Sequence, residues 1–463
     1  MRGAWTEGFS ASDTPGRDFM MAHFGSGLTR GHWYGWLFWG LAALFFLYEQ
    51  FVWVMPNVIL DDLTRVAAAS PVKLVSALSV YLWVYASLQL IVGGLFDRFG
   101  TKFILCGATA LCALSCLLFG TADDLLGISV ARGLSGFASA FAFVGTIYVA
   151  TVWFAPSRLA LIVGITTSVG MLGQMFGQTP LVAAVEGFGW REVVIVCSWP
   201  GFALALLILF VIPRRPSWFK DRFAKKTDLN IGIFQGVVQV LSRWQIWAIG
   251  VVCGVLYLPL SVLAAMWGNT FMEKAGGYSP EQASFATIIL GVGWLIGCPL
   301  VGIVSDLTGS RRIPLLVGIF GGGMAMLLLL WPSLLGYGGL LGVMFVGGLF
   351  TSAEVICFAV AMELLPESLR GTAAACCNFI TMMFAAALQV SIGWILTEQI
   401  VGPVRHHVKV PHIPPIEQLS SATPDEFRWA LAIIPGLFLV AFVLCLLLPE
   451  TGKRTATTNA EEG

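Results

Sequence analysis

The sequence predicts an all-α polytopic membrane protein of twelve transmembrane helices in two pseudo-symmetric six-helix bundles. Three observations carry that expectation. Of 463 residues, 57% are hydrophobic and only 11% charged, far fewer charges than the roughly 25% of a water-soluble chain. Long apolar runs recur at the length of about 20 residues that a helix needs to cross a bilayer. A short pattern of glycine, aspartate and basic residues occurs twice, in equivalent loops of the two halves. Lys and Arg together number 26, as do Asp and Glu, so there is no overall basic footprint for nucleic acid. No G-x-x-x-x-G-K-[ST] phosphate loop is present, and a soluble enzyme is disfavoured.

The apolar runs place spans at 36–59, 73–96, 103–120, 125–153, 160–185, 191–213, 245–268, 281–304, 313–331, 335–364, 372–397 and 429–448. Several exceed 25 residues and are expected to tilt or protrude. Residues 1–35 read as a polar amino-terminal tail, 36–213 as the first bundle, 214–244 as a central loop, 245–448 as the second bundle and 449–463 as a carboxy-terminal tail. With the amino terminus inside, 18 basic residues fall in inner segments and 7 in outer ones. The positive-inside rule then puts both termini in the cytoplasm, and the expected location is the cell (inner) membrane. In the central loop Ile231, Phe234, Val237, Val238 and Leu241 recur at helical spacing, which fits either an interfacial helix beneath an anionic leaflet or a solvated linker. All ten cysteines lie in apolar runs, where thiols act as small hydrophobes and imply no disulfide framework.

The repeat is explicit. Gly93, Asp97, Gly100 and Lys102 recur as Gly302, Asp306, Gly309 and Arg311 at one offset of 209. Pro156 and Arg158 after helix 4 answer Pro366 and Arg370 after helix 10, while Pro200 and Gly201 answer Pro435 and Gly436 at an offset of 235. The surplus of 26 residues lies in the outer loop between helices 11 and 12. That loop holds His406, His407 and His412; a solvated loop is preferred over a metal or pH-sensing site, because no acidic cluster accompanies them.

With these motifs the chain resembles the major facilitator superfamily of secondary transporters. Gly93 to Lys102 is similar to that family's loop 2-3 signature, and residues 302–312 form a degenerate copy with Leu307 where Arg is usual. Arg132, Gly133 and Gly136 resemble its helix 4 motif, Pro366 to Gly371 its loop 10-11 pattern, and Leu448 to Thr451 its ending after helix 12. The Gly-Pro pair of drug:proton antiporters is missing from helix 5, and helix 7 lacks the glutamine pair of sugar porters. The resemblance implies alternating access around a midplane site. It further implies a cavity lined by helices 1, 4, 7 and 10 and a latch at loop 2-3 favouring an outward-open state, formed by Gly93, Asp97, Arg98, Gly100 and Lys102 with Asp306, Arg311 and Arg312 of the second copy.

An ionisable side chain inside a bilayer costs several kcal/mol unless it meets water or a partner. Glu49, Arg132 and Glu354 lie within helices 1, 4 and 10 and are the candidates for substrate binding and proton coupling. A desolvated glutamate gains proton affinity, and an arginine presents a fork of donors to a carboxylate. Trp53, Asn57, Tyr257, Gln174, Gln178 and Asn378 are the polar cavity candidates, though buried amides also serve simply to bridge helices. The expected function is symport of a small anionic or zwitterionic solute, such as an organic acid, amino acid or short peptide, with protons. The alternatives are efflux of a lipophilic compound or a non-transporting receptor of the same fold. No cofactor, metal or nucleic acid is implied; the partners expected are the solute, protons and the lipid bilayer, with the protein functional as a monomer.

Overall fold

A computed structural model describes residues 33–67, 71–213, 232–401 and 423–452. The His406, His407 and His412 loop, the amino-terminal 32 residues, residues 214–231 and the last 11 residues lie outside that set. Twelve helices are long and apolar enough to span a membrane: α1 Tyr34–Pro56, α2 Ser76–Phe99, α3 Lys102–Thr121, α4 Leu125–Trp153, α5 Leu159–Phe188, α6 Trp190–Val211, α7 Trp244–Gly276, α8 Pro280–Thr308, α9 Arg312–Leu329, α10 Pro332–Glu363, α11 Glu367–Gln389 and α12 Pro424–Leu447. Their outer surfaces carry exposed Trp83, Phe210 and Leu439, as a helix apolar all round does when lipid replaces water on one side.

Helix starts differ from expectation where the first turn is polar and hydropathy fades. Helix α12 begins at Pro424 rather than 429 because Thr423 forms a capping box with Glu426, which satisfies two orphan donors of the first turn. Ser279 and Gln282 do the same for α8, and the Asp124 carboxylate accepts the Gly127 N–H at 2.8 Å to start α4. Helix α7 runs past its expected end at 268: Pro259 opens a π-helical stretch, Pro259–Trp267, and Gly277 with φ 70° closes the helix. A left-handed cap suits glycine, which has no Cβ to clash. Residues 449–452, read from the sequence as the start of a tail, are fastened to the loop between α8 and α9.

Among the described residues, α12 is interrupted at Ala432, and four further spans are interrupted deeper along their length. Helix α4 breaks between Ser139 and Ala142, α10 between Thr351 and Glu354, and α5 between Phe176 and Thr179, while α7 carries its π segment. The first two breaks fall at corresponding places in the two bundles. Irregular backbone at membrane depth persists where protein or a polar cavity surrounds it.

Helices α1–α6 form one bundle and α7–α12 the other. An even number of spans puts the α2–α3, α4–α5, α8–α9 and α10–α11 connections on the same face as both ends of the helical body; this is the latch face. Across the bundle interface α2 packs on α11 and α5 on α8, and the latch-side halves Ala142–Trp153 of α4 and Glu354–Glu363 of α10 also reach the opposite bundle. The far-side pieces Leu125–Ser139, Thr179–Phe188, Gly268–Gly276 and Pro332–Thr351 make their principal contacts within their own bundle. The bundles are thus clasped at the latch face. A helix Ile233–Leu241 in the central connection packs Val237 and Val240 inward against α2 and α11 while exposing Phe234 and Val238; Ile231 lies outside the described residues.

Candidate functional site

Glycines decide how closely the helices around the site approach. A Cβ on Gly136 of α4 would collide with the Tyr81 backbone of α2, so the helix 4 motif brings these two helices into contact. One turn earlier Arg132 extends over the Tyr81 ring, its guanidinium carbon 4.5 Å from the ring centroid. The phenol O–H of Tyr81 in turn donates to Glu49 Oε1 at 2.8 Å. Trp53, one turn beyond Glu49 on α1, stacks on Tyr81 with centroids 6.4 Å apart, and Tyr85 continues the stack at 5.9 Å and an interplanar angle of 9°. Glu49, Tyr81 and Arg132 are all buried.

This arrangement holds both signs of charge against one tyrosine without joining them. Arg132 makes no salt bridge among the described residues, and its Nε has no hydrogen-bond partner there; the buried hydroxyl of Ser135, on the same helix, is likewise unpartnered. Buried polar groups are nearly always satisfied, and a buried cation without a counter-charge is costly. A guanidinium edge left open in this way is a hydrogen-bond donor of the kind that pairs with a carboxylate.

Glu354 sits apart from that cluster. It is the first residue of the latch-side segment of α10, where the helix macrodipole favours negative charge. Cys253 of α7 donates to its Oε1 at 3.3 Å. Tyr257 packs edge-on to Trp294 with centroids 6.3 Å apart and lies within Coulombic range of both Tyr85 and Glu354. The structure therefore brings together Glu49, Trp53 and Arg132, and sets Glu354 against a thiol in the other bundle. Gln174 donates to Gln50 at 2.7 Å beside Gly173, where a Cβ would strike the Leu47 carbonyl; it ties α5 to α1. Gln178 is exposed at the break in α5. Asn57 ends the same helix as Glu49, with its side chain outside the described set. Asn378 of α11 crosses the interface, donating to Tyr85 at 3.2 Å and to Gln89 at 2.9 Å.

Tyr81, Tyr85 and Gln89 are functional candidates that the sequence reading passed over. They recur every four residues on α2, one stripe of a helix face, and that spacing was the available signal.

The latch motifs occupy two corners of the latch face. Asp97, near the end of α2, accepts the backbone N–H groups of Gly371 at 3.2 Å and Thr372 at 3.0 Å and the Thr372 hydroxyl at 2.8 Å, so it caps the start of α11 in the opposite bundle. Gly93 meets Gly371 there so closely that a Cβ on Gly93 would strike the Gly371 carbonyl. By the repeat, Asp306 of α8 accepts the Leu161 N–H at 3.0 Å at the start of α5, and Gly302 faces the backbone of Ala160 and Leu161. Gly100 and Gly309 take positive φ of 77° and 61°, the left-handed cap that keeps this position glycine. Arg98 lies over the Phe99 ring at 5.5 Å, and Lys102 opens α3.

The second corner carries a charge network as well. Arg311 pairs with Asp306 at 2.5 Å and Glu363 at 2.8 Å and reaches Ser305 at 3.0 Å. Burial opposes its charge, but Glu363 and then Asp306 outweigh that and hold the guanidinium above its ordinary range. Glu450 accepts the Arg311 N–H at 2.8 Å and the Ser310 hydroxyl at 2.7 Å. Partial burial pushes the Glu450 carboxyl up, yet these donors with the Gly452 and Arg312 N–H groups bring it below the usual carboxylate value. Thr451 donates to Glu363 at 2.6 Å, and an Arg312 amino group donates to the Leu448 carbonyl.

Twelve apolar helices in two related bundles, clasped by a repeated aspartate-to-helix-start contact, define a two-repeat integral membrane transporter. The sequence profile of the Major Facilitator Superfamily matches residues 37–390, and the chain belongs to that superfamily. A probable sulfoacetate transporter, SauU, of Cupriavidus necator is 25% identical over 52% of this chain, which spans about three fifths (60%) of that relative. A probable galactarate/D-glucarate transporter, GudP, of Escherichia coli is 23% identical over 73% of this chain and 81% of the relative. The hexuronate transporter of Escherichia coli is 25% identical, covering 54% of this chain and 62% of the relative. Among solved structures, the proton:xylose symporter XylE bound to 6-bromo-6-deoxy-D-glucose superposes with a TM-score of 0.65 at 17% identity, covering 90% of this chain and 96% of that one; this likeness bears on the fold.

Proposed function

We propose that the protein is a secondary transporter that carries a small anionic solute across the membrane by alternating access, together with protons. The carrying observation is the buried Arg132 guanidinium, stacked on Tyr81 with its Nε unbonded and in no direct salt bridge among the described residues, beside Glu49 on the same tyrosine. With a proton on Glu49 the Arg132 guanidinium has no neighbouring anion, and a solute anion then supplies the counter-charge without two negative charges sharing the site. The names of the relatives support an anion: sulfoacetate, galactarate, D-glucarate and hexuronate are organic acids. A zwitterion's cationic group would meet Arg132, so the acid is favoured over the amino acid or peptide. Proton coupling draws on Glu49, buried and bonded to Tyr81 beside Arg132. The 18 to 7 division of basic residues supports a latch face in the cytoplasm, an outward-open state for the clasped arrangement and import as the direction. We assign the protein to the cell (inner) membrane as a functional monomer.

Proteoliposomes with an imposed pH gradient test this. Wild-type protein should accumulate an organic anion. Arg132→Gln should lower apparent affinity by about a hundredfold, the scale of a lost charged hydrogen bond at roughly 1.5 to 3 kcal/mol. Glu49→Gln should lose gradient-driven accumulation while keeping exchange of solute for solute. Unchanged accumulation by Glu49→Gln would refute its coupling role, and solute binding without flux in the wild type would indicate a receptor.

A further inference from the structure

The central connection carries a helix with an outward face that no protein covers among the described residues. In Ile233–Leu241, Val237 and Val240 are buried, while Phe234 and Val238, one turn apart on the other side, are 77% and 67% exposed. Beside that apolar stripe Gln235 and Gln239, also one turn apart, are exposed as well. The outward face is thus split lengthwise into an apolar half and an amide half. A helix lying in a membrane surface has this division, with one half in lipid and the other in water.

Two further observations put the helix at that level. Only Ser242 and Arg243 separate it from α7, and the Trp247 indole N–H donates to the Leu241 carbonyl at 2.8 Å, tying its end to the first turn of α7. Trp244 and Trp247 are exposed there, and exposed indoles at the head of a span mark the lipid headgroups. The charge is complementary too. The helix itself carries no charged side chain, but residues 214–231, which lead into it from α6, include six Lys or Arg against two Asp, and exposed Arg243 follows its end. Basic residues in that number next to a span are drawn to an anionic leaflet.

The helix also touches both bundles. It packs on α2 and on α11, the two helices that Asp97 joins through the Gly371 and Thr372 N–H groups. A seat built from both helices exists only while they stay together, so whatever holds the helix in that seat favours the clasped state.

We propose that the Ile233–Leu241 helix lies in the headgroup layer of an anionic leaflet, with Phe234 and Val238 in the lipid, and that anionic phospholipid thereby holds the α2–α11 clasp closed. The lipid acts here as a regulator and not as a solute, so the proposal stands apart from the Arg132 site. Leaflet composition then sets how readily that corner opens.

Hydrogen exchange of the intact protein reads both parts at once, in vesicles of phosphatidylcholine alone and of phosphatidylcholine mixed with phosphatidylglycerol. Phosphatidylglycerol should slow exchange in residues 233–243 and at the Gly371 and Thr372 amides by about tenfold, the scale of one or two basic residues held at an anionic surface. High salt should remove the slowing. The double variant Phe234→Gln, Val238→Gln should match wild type in phosphatidylcholine and lose most of the response, and Arg243→Gln should lose part of it. Equal exchange in the two lipids, or a response that survives the double variant, would overturn the docking. Slowing confined to residues 233–243 would overturn the hold on the clasp. Slowing that follows the protein-to-lipid ratio instead of phosphatidylglycerol would give the exposed face to a second copy of the chain and overturn the lipid assignment.

Discussion

The two latch corners are copies of one design, yet they are held by different chemistry. At the α2–α11 corner Asp97 accepts three hydrogen bonds from the start of α11 and makes no ion pair among the described residues. At the α5–α8 corner Asp306 accepts one backbone N–H and is locked to Arg311, which Glu363 and the Glu450 segment hold from behind. Cross-bundle bonding is heavier at the first corner, and bonding within one bundle is heavier at the second. The first is therefore the more breakable clasp: releasing it costs a few neutral-donor hydrogen bonds. The second is a braced strut on which α5 rests.

Removing the brace gives the largest effect. Arg311→Ala leaves Asp306 and Glu363 as buried carboxylates without their cation, a loss of about 3 to 5 kcal/mol. It should appear as the largest fall in Tm of the detergent-solubilised protein, with poor yield of folded material. An Arg311→Ala protein as stable as wild type would mean that the network is ornamental and the corners equivalent. Next comes Asp97→Asn, which sets an amide N–H against Thr372 donors that now find an acceptor. At about 1 to 3 kcal/mol for a buried group left unsatisfied, the clasped state should lose roughly tenfold in population. Transport rate should fall while equilibrium solute binding and Tm stay near wild type; normal cycling would remove the clasp from the mechanism. The smallest effect is a pH dependence confined to the braced corner. The folded-state pKa of Glu450 is depressed below its ordinary 4.5, so its contribution is full above that value and fades as pH falls through the lower folded one. Hydrogen exchange of residues 305–315 should quicken on acidification below about pH 4.5, while the start of α11 provides the internal control. Equal acceleration at both would mean global loosening.

Much of this was legible in the sequence, and the parts that were not share a reason. The spans follow from apolar length, and the repeat follows from Gly93, Asp97 and Gly100 recurring at 302, 306 and 309, because a left-handed cap and a backbone-to-backbone approach admit glycine and little else. Glu49 and Arg132 stood out because charge in a bilayer is conspicuous. Tyr81, Tyr85 and Gln89 did not, since phenols and amides scarcely disturb a hydropathy profile, although they organise the cavity on α2. The second motif looked degenerate at Leu307. Its strength comes from Glu363 and Glu450, 52 and 139 residues from Arg311 in the chain, and long-range partners of that kind have no local signature. The two glutamates and one arginine were expected on helices lining one cavity; the structure joins Glu49 and Arg132 through Tyr81 and sets Glu354 beside Cys253 of α7, at the first residue of the latch-side segment of α10.

The interruptions in α4 and α10 have a consequence for how the bundles are built. At both places the chain stays right-handed helical and backbone hydrogen bonds run through, from Ala140 to Gly136 and from Ser352 to Gly348, so the ladder is tightened there rather than severed. Helices α4 and α10 are irregular at corresponding depths, with their latch-side segments docked across the interface and their far-side segments making their principal contacts in their own bundles. In both bundles the same helix is therefore shared between the interface on one side and its own bundle on the other.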